Sequence, residues 1–189
     1  MLGMTREAEL LALVIRAFHS PSVMHPAGSV DGLRDIESCF GDLIIQDLVV
    51  LENRQKRIRK EYERGKKELK RELDAIEKGM GILEDGRFII QEKLNNVEEE
   101  QLRPFELLTM KQGIVVWNVD EDAEFGSGGR GIPPEVKARC DERGWGAGAA
   151  SLAIETEIME IEPEGRKEFL DDLGIEKTIQ DRFLTAVYK

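Results

Sequence analysis

A short polar pair directly after an apolar segment is the part of this sequence best suited to chemistry. The segment Gly113–Trp117 reads GIVVW, and Asn118 and Glu121 follow it three positions apart. An asparagine amide offers two donors and an acceptor, whereas a carboxylate only accepts hydrogen bonds. A buried strand that ends in Asn-x-x-Glu is how some nucleotide-binding folds present a base-reading amide and carboxylate. From the spacing alone, an ordinary polar turn at the end of a strand remains the simpler alternative.

Other candidate groups in the sequence predict no second chemical site. The phosphate-binding pattern G-x-x-x-x-G-K-[ST] does not occur in the sequence. The glycine-rich segment Gly126–Gly131 lacks the Lys-Ser/Thr pair, so we expect a surface loop there. His19 and His25 stand six residues apart with no cysteine nearby, which favours loop-packing histidines over a zinc site. Cys39 and Cys140 have no metal-binding spacing, so we expect free thiols in a reducing cytosol.

The charge of the sequence is unevenly distributed. A net charge of −11 argues against a protein that binds nucleic acid over its whole surface. Between Arg54 and Arg71, however, ten basic residues oppose three acidic ones, so this window has a net charge of +7 and the remainder −18. Such a patch predicts a salt-dependent contact with phosphates that is largely blind to sequence, and a solvated helix tip is the alternative. The candidate contact residues are Arg54, Lys56, Arg57, Arg59, Lys60, Arg64, Lys66, Lys67, Lys70 and Arg71.

The apolar pattern predicts strands that alternate with helices. Apolar residues recur at helical spacing from Leu33 to Tyr62 and again from Leu69 to Leu83, which indicates an antiparallel helical hairpin with its turn near Gly65. An arm of about 28 residues would extend roughly 40 Å. The other expected elements are a strand at 8–18, a helix at 96–110 with Pro104 inside it or marking its interruption, a strand at 113–118, a helix from 132 to about 143, a strand at 147–152, and closing helices at 164–173 and 177–188.

This alternation predicts an α/β fold with a parallel sheet of about three strands and an inserted helical hairpin. Three strands make a thin sheet with an unpaired apolar edge, so we expect the chain to be part of a larger domain. Hydrophobic residues make up 41% and charged residues 34% of the chain, which favours long solvated helices. No apolar run approaches the roughly 18 residues of a membrane span, so we expect no membrane partner.

Several short stretches occur in an order that matches a known family. They are Arg6–Ala8, Leu13–Phe18, Gly28–Asp31, Arg34–Glu37, Leu107–Lys111, Asn118–Glu121, Ser151–Ile158 and Glu168–Gly174. Each stretch is weak by itself, but the ordered set, with the hairpin between them, is specific. From about Arg6 to Tyr188, the chain resembles the YchF-type (Obg-like) ATPases of the translation-factor-related P-loop GTPases.

The resemblance implies a partial Rossmann-like P-loop G domain, with a coiled-coil hairpin inserted after the strand at Leu13–Phe18. The expected divisions are 1–32 for the first strand and loop, 33–95 for the hairpin, and 96–189 for the remainder of the G domain. Family members are cytoplasmic, associate with ribosomes, and hydrolyse ATP or GTP with magnesium. Their phosphate-binding loop, first switch and Asp-x-x-Gly segment would precede this chain, and their TGS domain would follow Tyr188. We therefore expect this chain alone to be inactive, without bound cofactor and with negligible nucleotide affinity.

The resemblance also assigns roles to residues of this sequence. Asn118 and Glu121 become the base-binding candidates, and the backbone around Ser151, Leu152 and Ala153 would complete the pocket. Guanine-specific relatives use Asn-Lys-x-Asp, whose aspartate accepts hydrogen bonds from guanine N1–H and its amine. A glutamate in that place relaxes the guanine filter, and position 119 holds a valine in place of the lysine. The choice between ATP and GTP stays open.

Two functions follow from these observations. The first is the C-terminal part of a YchF-like ATPase, which would join the remainder of its G domain and dock its basic hairpin tip on ribosomal RNA or a ribosomal protein. The alternative is a non-enzymatic adaptor, whose hairpin binds RNA or protein while the remaining sheet only anchors it. The two functions differ in whether sequence outside this chain supplies a phosphate-binding loop in cis.

Overall fold

The computed structural model describes residues 6–121 and 131–172 together with Gly174, Ile175, Thr178 and Asp181. It separates into two compact units, one of Met1–Leu11 with Glu37–Gln112 and one of Ala12–Ile36 with Gly113–Lys189. The strands are β1 (Leu10–Arg16), β2 (Gln112–Asn118) and β3 (Gly146–Ala150), and the helices are α1 (Gly32–Glu63), α2 (Lys70–Glu84), α3 (Asn96–Leu102), α4 (Pro134–Asp141), α5 (Leu152–Glu160) and α6 (Pro163–Asp172).

The three strands form one open sheet in the order β1-β2-β3. β2 and β3 run parallel, with Ile114 opposite Gly146 and Asn118 opposite Ala150. The predicted α/β fold with about three parallel strands is confirmed. The strand expected at 8–18 is shorter than predicted, and the strand expected at 147–152 ends at Ala150. It ends there because the Ser151 hydroxyl already caps the following helix, accepting from the backbone N–H three residues on.

Small residues let large indoles pack against the central strand. Residues 113–117 of β2 are all buried, as a central strand covered on both faces requires. A Cβ added at Gly113 would lie only 2.2 Å from the ring of Trp145, and one added at Gly32 only 2.1 Å from the ring of Trp117. These two glycines are therefore needed for the close approach of the indole rings.

Helices after β3 close the sheet unit. Ile154 and Ile158 of α5 form a buried cluster with Ile175, against which Phe169 and Leu170 of α6 pack. The helix expected at 164–173 is confirmed at 163–172. The one expected to start at 132 begins instead at Pro134, where a proline is tolerated because the first N–H groups of a helix need no partner. The predicted helix at 177–188 lies almost wholly outside the described residues.

The predicted helical hairpin is confirmed, although its two arms differ in length. α1 has 32 residues and α2 has 15, so α1 extends roughly 48 Å and α2 roughly 22 Å. Gly65 makes the turn with a φ of 108°, a conformation that glycine adopts without strain. Phe40 of α1 is fully buried and meets the ring of Phe88 edge to face at 5.3 Å. The hairpin therefore rests on an aromatic and aliphatic core.

The helix expected at 96–110 is corrected to the short α3. Asn95 caps it by accepting from the backbone N–H groups of Val97 and Glu98, and the Glu98 carboxylate accepts from the Asn95 N–H in return. The helix ends at Leu102 because Pro104 has no N–H to donate, and a 3₁₀ turn covers 103–105. A second 3₁₀ turn covers 108–110.

A buried carboxylate fastens three separate segments of the helical unit. Asp47 of α1 is fully buried, and it accepts hydrogen bonds from the backbone N–H groups of Leu108 and Thr109, at 3.0 and 2.8 Å. The Thr109 hydroxyl donates to it at 2.9 Å and the Arg6 guanidinium at 3.0 Å. Lys111 Nζ donates to two backbone carbonyls of residues 6–8, at 2.7 and 2.6 Å. A buried charge is stable only when it is paired and hydrogen-bonded, and Asp47 meets both conditions.

Both cysteines are free thiols, as expected. Burial raises the pKa of the Cys140 thiol to about 11, while Cys39 is half-buried. Within the described part of the chain, no helix combines the length and the apolar character needed to cross a membrane.

Candidate functional site

The structure brings the polar end of β2 together with the loop after β3. Asn118 is the last residue of β2, and its side-chain oxygen accepts the backbone N–H of Leu152 at 3.0 Å. The backbone N–H of Val119 donates to the carbonyl of Ala150 at 3.0 Å. Because the two strands are parallel, both loops lie at the carboxyl edge of the sheet, where open α/β sheets bind ligands. The two parts of the predicted base site are therefore adjacent.

The Asn118 amide keeps hydrogen-bonding capacity after this contact. Its oxygen has a second lone pair, and its nitrogen has two hydrogens with no partner among the described residues. Ser151, Leu152 and Ala153 lie at the first turn of α5, where Ser151 is buried and holds the helix start. The side chain of Asn118 is thus fixed at one end while its donors remain available for a ligand.

The position of Glu121 is less constrained. Glu121 is exposed, and its backbone N–H donates to the carboxylate of Asp120 at 2.9 Å. The predicted glycine-rich loop at 126–131 lies outside the described residues except for Gly131. Among the residues that the structure describes, no hydrogen bond joins the Glu121 carboxylate to Asn118. The structure therefore fixes the side-chain position of Asn118 more closely than that of Glu121, and the base-binding role of both residues stays a prediction.

Half of the basic residues between Arg54 and Arg71 are held in ion pairs. Arg54 donates twice to Glu72, at 2.6 and 2.9 Å, and this hydrogen bonding raises the pKa of Arg54. Lys66 donates to Glu61 at 2.6 Å and thereby lowers the pKa of that carboxyl. The remaining pairs are Lys56 with Glu52, Arg59 with Glu77, and Lys70 with Asp74. Several of these acids belong to α2, beyond the window from which the sequence charge was counted.

The residues without an ion pair include a stripe that follows the last turns of α1 and the residue after it. No carboxylate partner occurs for Arg57, Lys60, Arg64 or Arg71 in the part of the chain that the structure describes. Lys67 lies over the ring of Tyr62, with Nζ 4.3 Å from the ring centroid. Positions 57, 60 and 64 follow helical spacing, since the Arg64 N–H still bonds to the Lys60 carbonyl at 3.2 Å. We call Arg57, Lys60 and Arg64 the basic stripe.

Known proteins match both the sequence and this geometry. The ribosome-binding ATPase YchF of Haemophilus influenzae is 32% identical over 183 residues, which cover 97% of this chain and 50% of that protein. The Bacillus subtilis protein of the same name is 28% identical over 187 residues, with the same coverage. The solved YchF GTPase of Schizosaccharomyces pombe superposes with a TM-score of 0.84 at 26% identity, over 98% of this chain and 51% of that one. The expected resemblance to the YchF-type ATPases is confirmed.

The match to YchF is limited in extent. The chain spans about half the length of the curated relatives that it matches. No protein-family model matches the sequence. The bacterial relatives are named ATPases and the fission-yeast structure a GTPase, so the names cover both nucleotides.

The polar groups at the carboxyl edge of the sheet have the hydrogen-bonding chemistry that the edge of a purine base requires. Purine N7 accepts a hydrogen bond, and the Asn118 nitrogen donates from a side chain that its own oxygen holds in place. The apolar side chain of Val119 follows directly, where it could cover a base face.

Two features of the structure had no signal in the sequence. The loop after β1 encloses a pocket of about 530 Å³ lined by His25 among other residues. His25 Nε2 lies 3.0 Å from the Asp35 carboxylate, and Nδ1 accepts from the Ala27 N–H at 3.2 Å. The described residues include no group of three His, Cys, Asp or Glu side chains able to hold a metal ion. The second feature is a pocket of about 630 Å³ on the helical unit, which includes Arg57 and Phe105.

Proposed function

We propose that this chain supplies the base-binding half of a nucleotide site in a YchF-like ATPase, and a helical hairpin that contacts ribosomal RNA. The hydrogen bond from Leu152 N–H to the Asn118 side chain supports the first part most directly. It joins the two loops that the resemblance assigns to base binding. The names of the relatives, ribosome-binding ATPase, support both parts. The adaptor alternative is not favoured by these relatives.

The base site would act through complementary donors and acceptors. Asn118 would donate to purine N7 from its side-chain nitrogen, and Glu121 would accept from an amine or N1–H at the opposite edge of the base. Hydrolysis of ATP or GTP with magnesium requires a phosphate-binding loop, which we assign to the complete protein. The chain alone should therefore bind nucleotide negligibly.

The variant Asn118→Asp separates a structural from a ligand-binding role of this residue. An aspartate can still accept the Leu152 N–H, but it has no N–H to donate to purine N7. The protein for this test is a chimera, in which this chain replaces the matching segment of the Haemophilus influenzae relative. We expect the substitution to weaken binding of a fluorescent ATP analogue about tenfold or more, because a buried acceptor on the ligand loses its partner.

Matched controls make the result specific. Asn53→Asp makes the same chemical change at an exposed position of α1 and should leave nucleotide affinity unchanged. The thermal midpoint of the Asn118→Asp chimera should stay close to that of the parent, since the inter-loop hydrogen bond is retained. If the parent chimera binds nucleotide and Asn118→Asp binds it equally well, Asn118 does not read the base. The double change Val119→Lys with Glu121→Asp should shift the preference towards a GTP analogue.

The ribosome contact is proposed for the basic stripe in particular. Ion-paired basic residues already have a counterion, whereas phosphates can approach the stripe without first displacing a carboxylate. Residues 57, 60 and 64 are separated by roughly 4.5 and 6 Å along the helix axis. Neutralising them should weaken RNA binding and make it less dependent on salt. The slope of log affinity against log salt should fall by about one unit for each phosphate that the protein no longer binds.

Two triple variants with equal net charge test this assignment. Arg57→Gln, Lys60→Gln and Arg64→Gln remove the stripe, while Lys56→Gln, Arg59→Gln and Lys70→Gln remove three ion-paired charges. We expect the first set to reduce co-sedimentation with ribosomes at low salt much more than the second. Equal losses from both sets would show that only net charge matters, and no loss from either would remove the hairpin surface as the contact.

A further inference from the structure

The pocket of about 630 Å³ on the helical unit adjoins the basic stripe. Arg57 belongs to both, because it is a member of the stripe and also lines the pocket. The other residues that define the pocket chemistry are Arg54, Glu72, Glu100, Gln101 and Phe105. We call this cavity the stem pocket. An RNA strand that follows the stripe would therefore reach the stem pocket at Arg57.

The stem pocket combines one aromatic ring with fixed polar groups. Phe105 and Gln101 are each half-buried, so part of the ring and of the amide faces the cavity. The two hydrogen bonds from Arg54 to Glu72 hold the plane of its guanidinium in one orientation and neutralise that carboxylate. Unpaired RNA bases are commonly bound by stacking on aromatic rings or guanidinium planes, with hydrogen bonds to the base edge. Gln101 offers both donors and an acceptor for such an edge.

The turn that presents Phe105 is held by hydrogen bonds on both sides. Glu106 has a φ of +48°, which is unusual for a residue with a side chain. Its N–H donates to the Arg103 carbonyl at 3.1 Å, and its own carbonyl accepts from Arg6 at 3.2 Å. Pro104 restricts the backbone inside the same turn. A strained turn persists only where its surroundings hold it, and the result here is an aromatic ring placed in advance of binding.

We propose that the stem pocket holds one unpaired, unstacked base of an RNA strand whose phosphates lie along the basic stripe. This inference rests on the RNA contact proposed above and adds base binding to it. An acidic peptide fits less well, because the Glu100 carboxylate would face its carboxylates at the cavity. For a nucleotide, the Glu100 carboxylate is an acceptor for the amine of a base, and Arg57 joins the cavity to the basic stripe where the phosphates would lie.

The test compares two strands with equal phosphates. One is a fluorescein-labelled oligoadenylate of 12 nucleotides, and the other is an abasic ribose-phosphate strand of the same length and label. The full 189-residue chain should bind the oligoadenylate about fivefold or more tightly, since stacking adds to the phosphate contact. Phe105→Leu should remove most of this preference and leave the affinity for the abasic strand within twofold. Val97→Ala, an exposed apolar change on α3, should alter neither affinity.

Each other outcome overturns a defined part of the proposal. If the chain binds the two strands with equal affinity, the base pocket is wrong while the basic stripe stands. The same conclusion follows if Phe105→Leu lowers the affinity for both strands equally while its circular dichroism spectrum is unchanged. Failure of the chain to bind either strand at low salt overturns the RNA contact itself, and the stem pocket with it. If a short polyglutamate displaces the oligoadenylate at a lower concentration than unlabelled oligoadenylate does, the occupant is an acidic protein segment and the inference is wrong. Gln101→Ala is a second test, because it should lower the affinity for the oligoadenylate and leave the affinity for the abasic strand unchanged.

Discussion

Replacing Asp47 by asparagine should be among the most destabilising isosteric changes in the helical unit. The carboxylate is fully buried and accepts four hydrogen bonds, from two backbone N–H groups, one hydroxyl and one guanidinium. An asparagine of the same shape has one oxygen and one NH₂ group. The NH₂ must then face the N–H of Leu108 or of Thr109, and the Arg6 guanidinium loses its counterion.

The magnitude follows from the hydrogen bonds that this change removes. A hydrogen bond to a charged group contributes about 1.5–3 kcal/mol, and a buried donor left without a partner costs about 1–3 kcal/mol. The Thr109 hydroxyl can rotate and accept from the new NH₂ group, so only one backbone donor is left unsatisfied. Together with the weakened attraction of Arg6, we expect Asp47→Asn to lower the free energy of unfolding by about 3–4 kcal/mol. Arg6→Met should also be strongly destabilising, because it leaves the fully buried Asp47 carboxylate without its counterion.

Urea unfolding followed by circular dichroism at 222 nm measures the effect on the helices. With a slope of about 2 kcal/mol per molar urea, the midpoint should fall by about 1.5–2 M. Asp42→Asn is the matched control, because Asp42 is an exposed aspartate on the same helix and should change stability by less than about 0.5 kcal/mol. Tryptophan fluorescence follows the other unit in the same experiment, since both tryptophans lie there. If the urea midpoint of Asp47→Asn equalled that of Asp42→Asn within error, the hydrogen bonds of Asp47 would not stabilise the helical unit.

Three further outcomes follow from the structure. Burial raises the pKa of Cys140 to about 11, so it should resist a maleimide at pH 8 in the native protein and react after unfolding, as mass spectrometry would show. Glu98 pairs with Lys78 and accepts the Asn95 backbone N–H, and both contacts lower the pKa of Glu98. The stability that Glu98 contributes is therefore complete above the usual carboxyl pKa of 4.5 and is lost as the pH falls through the lowered pKa of the folded state. Glu98→Gln should therefore melt below the wild type at pH 7, and the difference in melting temperature should shrink as the pH is lowered. Gly113→Val should cost about 2–3 kcal/mol in a urea titration because the new side chain meets an indole ring, while Gly146→Ala, whose added Cβ finds an ordinary contact at 3.8 Å, should cost under about 1 kcal/mol.

Local periodicity explains which parts of the fold the sequence could predict. The hairpin repeats apolar residues every three or four positions, so its helices and the turn at Gly65 follow from neighbours in sequence. The same is true of the apolar strand before Asn118. The helix expected at 96–110 is shorter in the structure because Pro104 interrupts it, which was one of the two possibilities left open for that proline. The predicted ends of strands and helices differ from the structure where a single capping residue or proline outweighs the apolar pattern.

Contacts between distant residues explain what the sequence could not predict. Asp47 meets Leu108 and Thr109 across 61 and 62 positions, and no spacing rule connects an aspartate in a helix with a turn so far away. The hydrogen bond between Asn118 and Leu152 spans 34 positions. Its location was expected only because the family resemblance placed both loops at one site, and the role of Asn118 towards a ligand stays a prediction.

The basic residues of the hairpin serve two purposes that salt should separate. Arg54 and Arg59 of α1 reach Glu72 and Glu77 of α2, so these pairs help to align the two helices. Exposed pairs of this kind contribute only about 0–1 kcal/mol, and the buried apolar side chains between the helices hold most of the stability. The basic stripe has no such partner in the described part of the chain, so its charge would be used only when phosphates bind. Raising the salt concentration should therefore reduce RNA affinity steeply while the thermal midpoint of the hairpin changes little. If instead both fell in parallel, the ion pairs would be maintaining the hairpin itself, and RNA binding would report the stability of the helices rather than a separate contact surface.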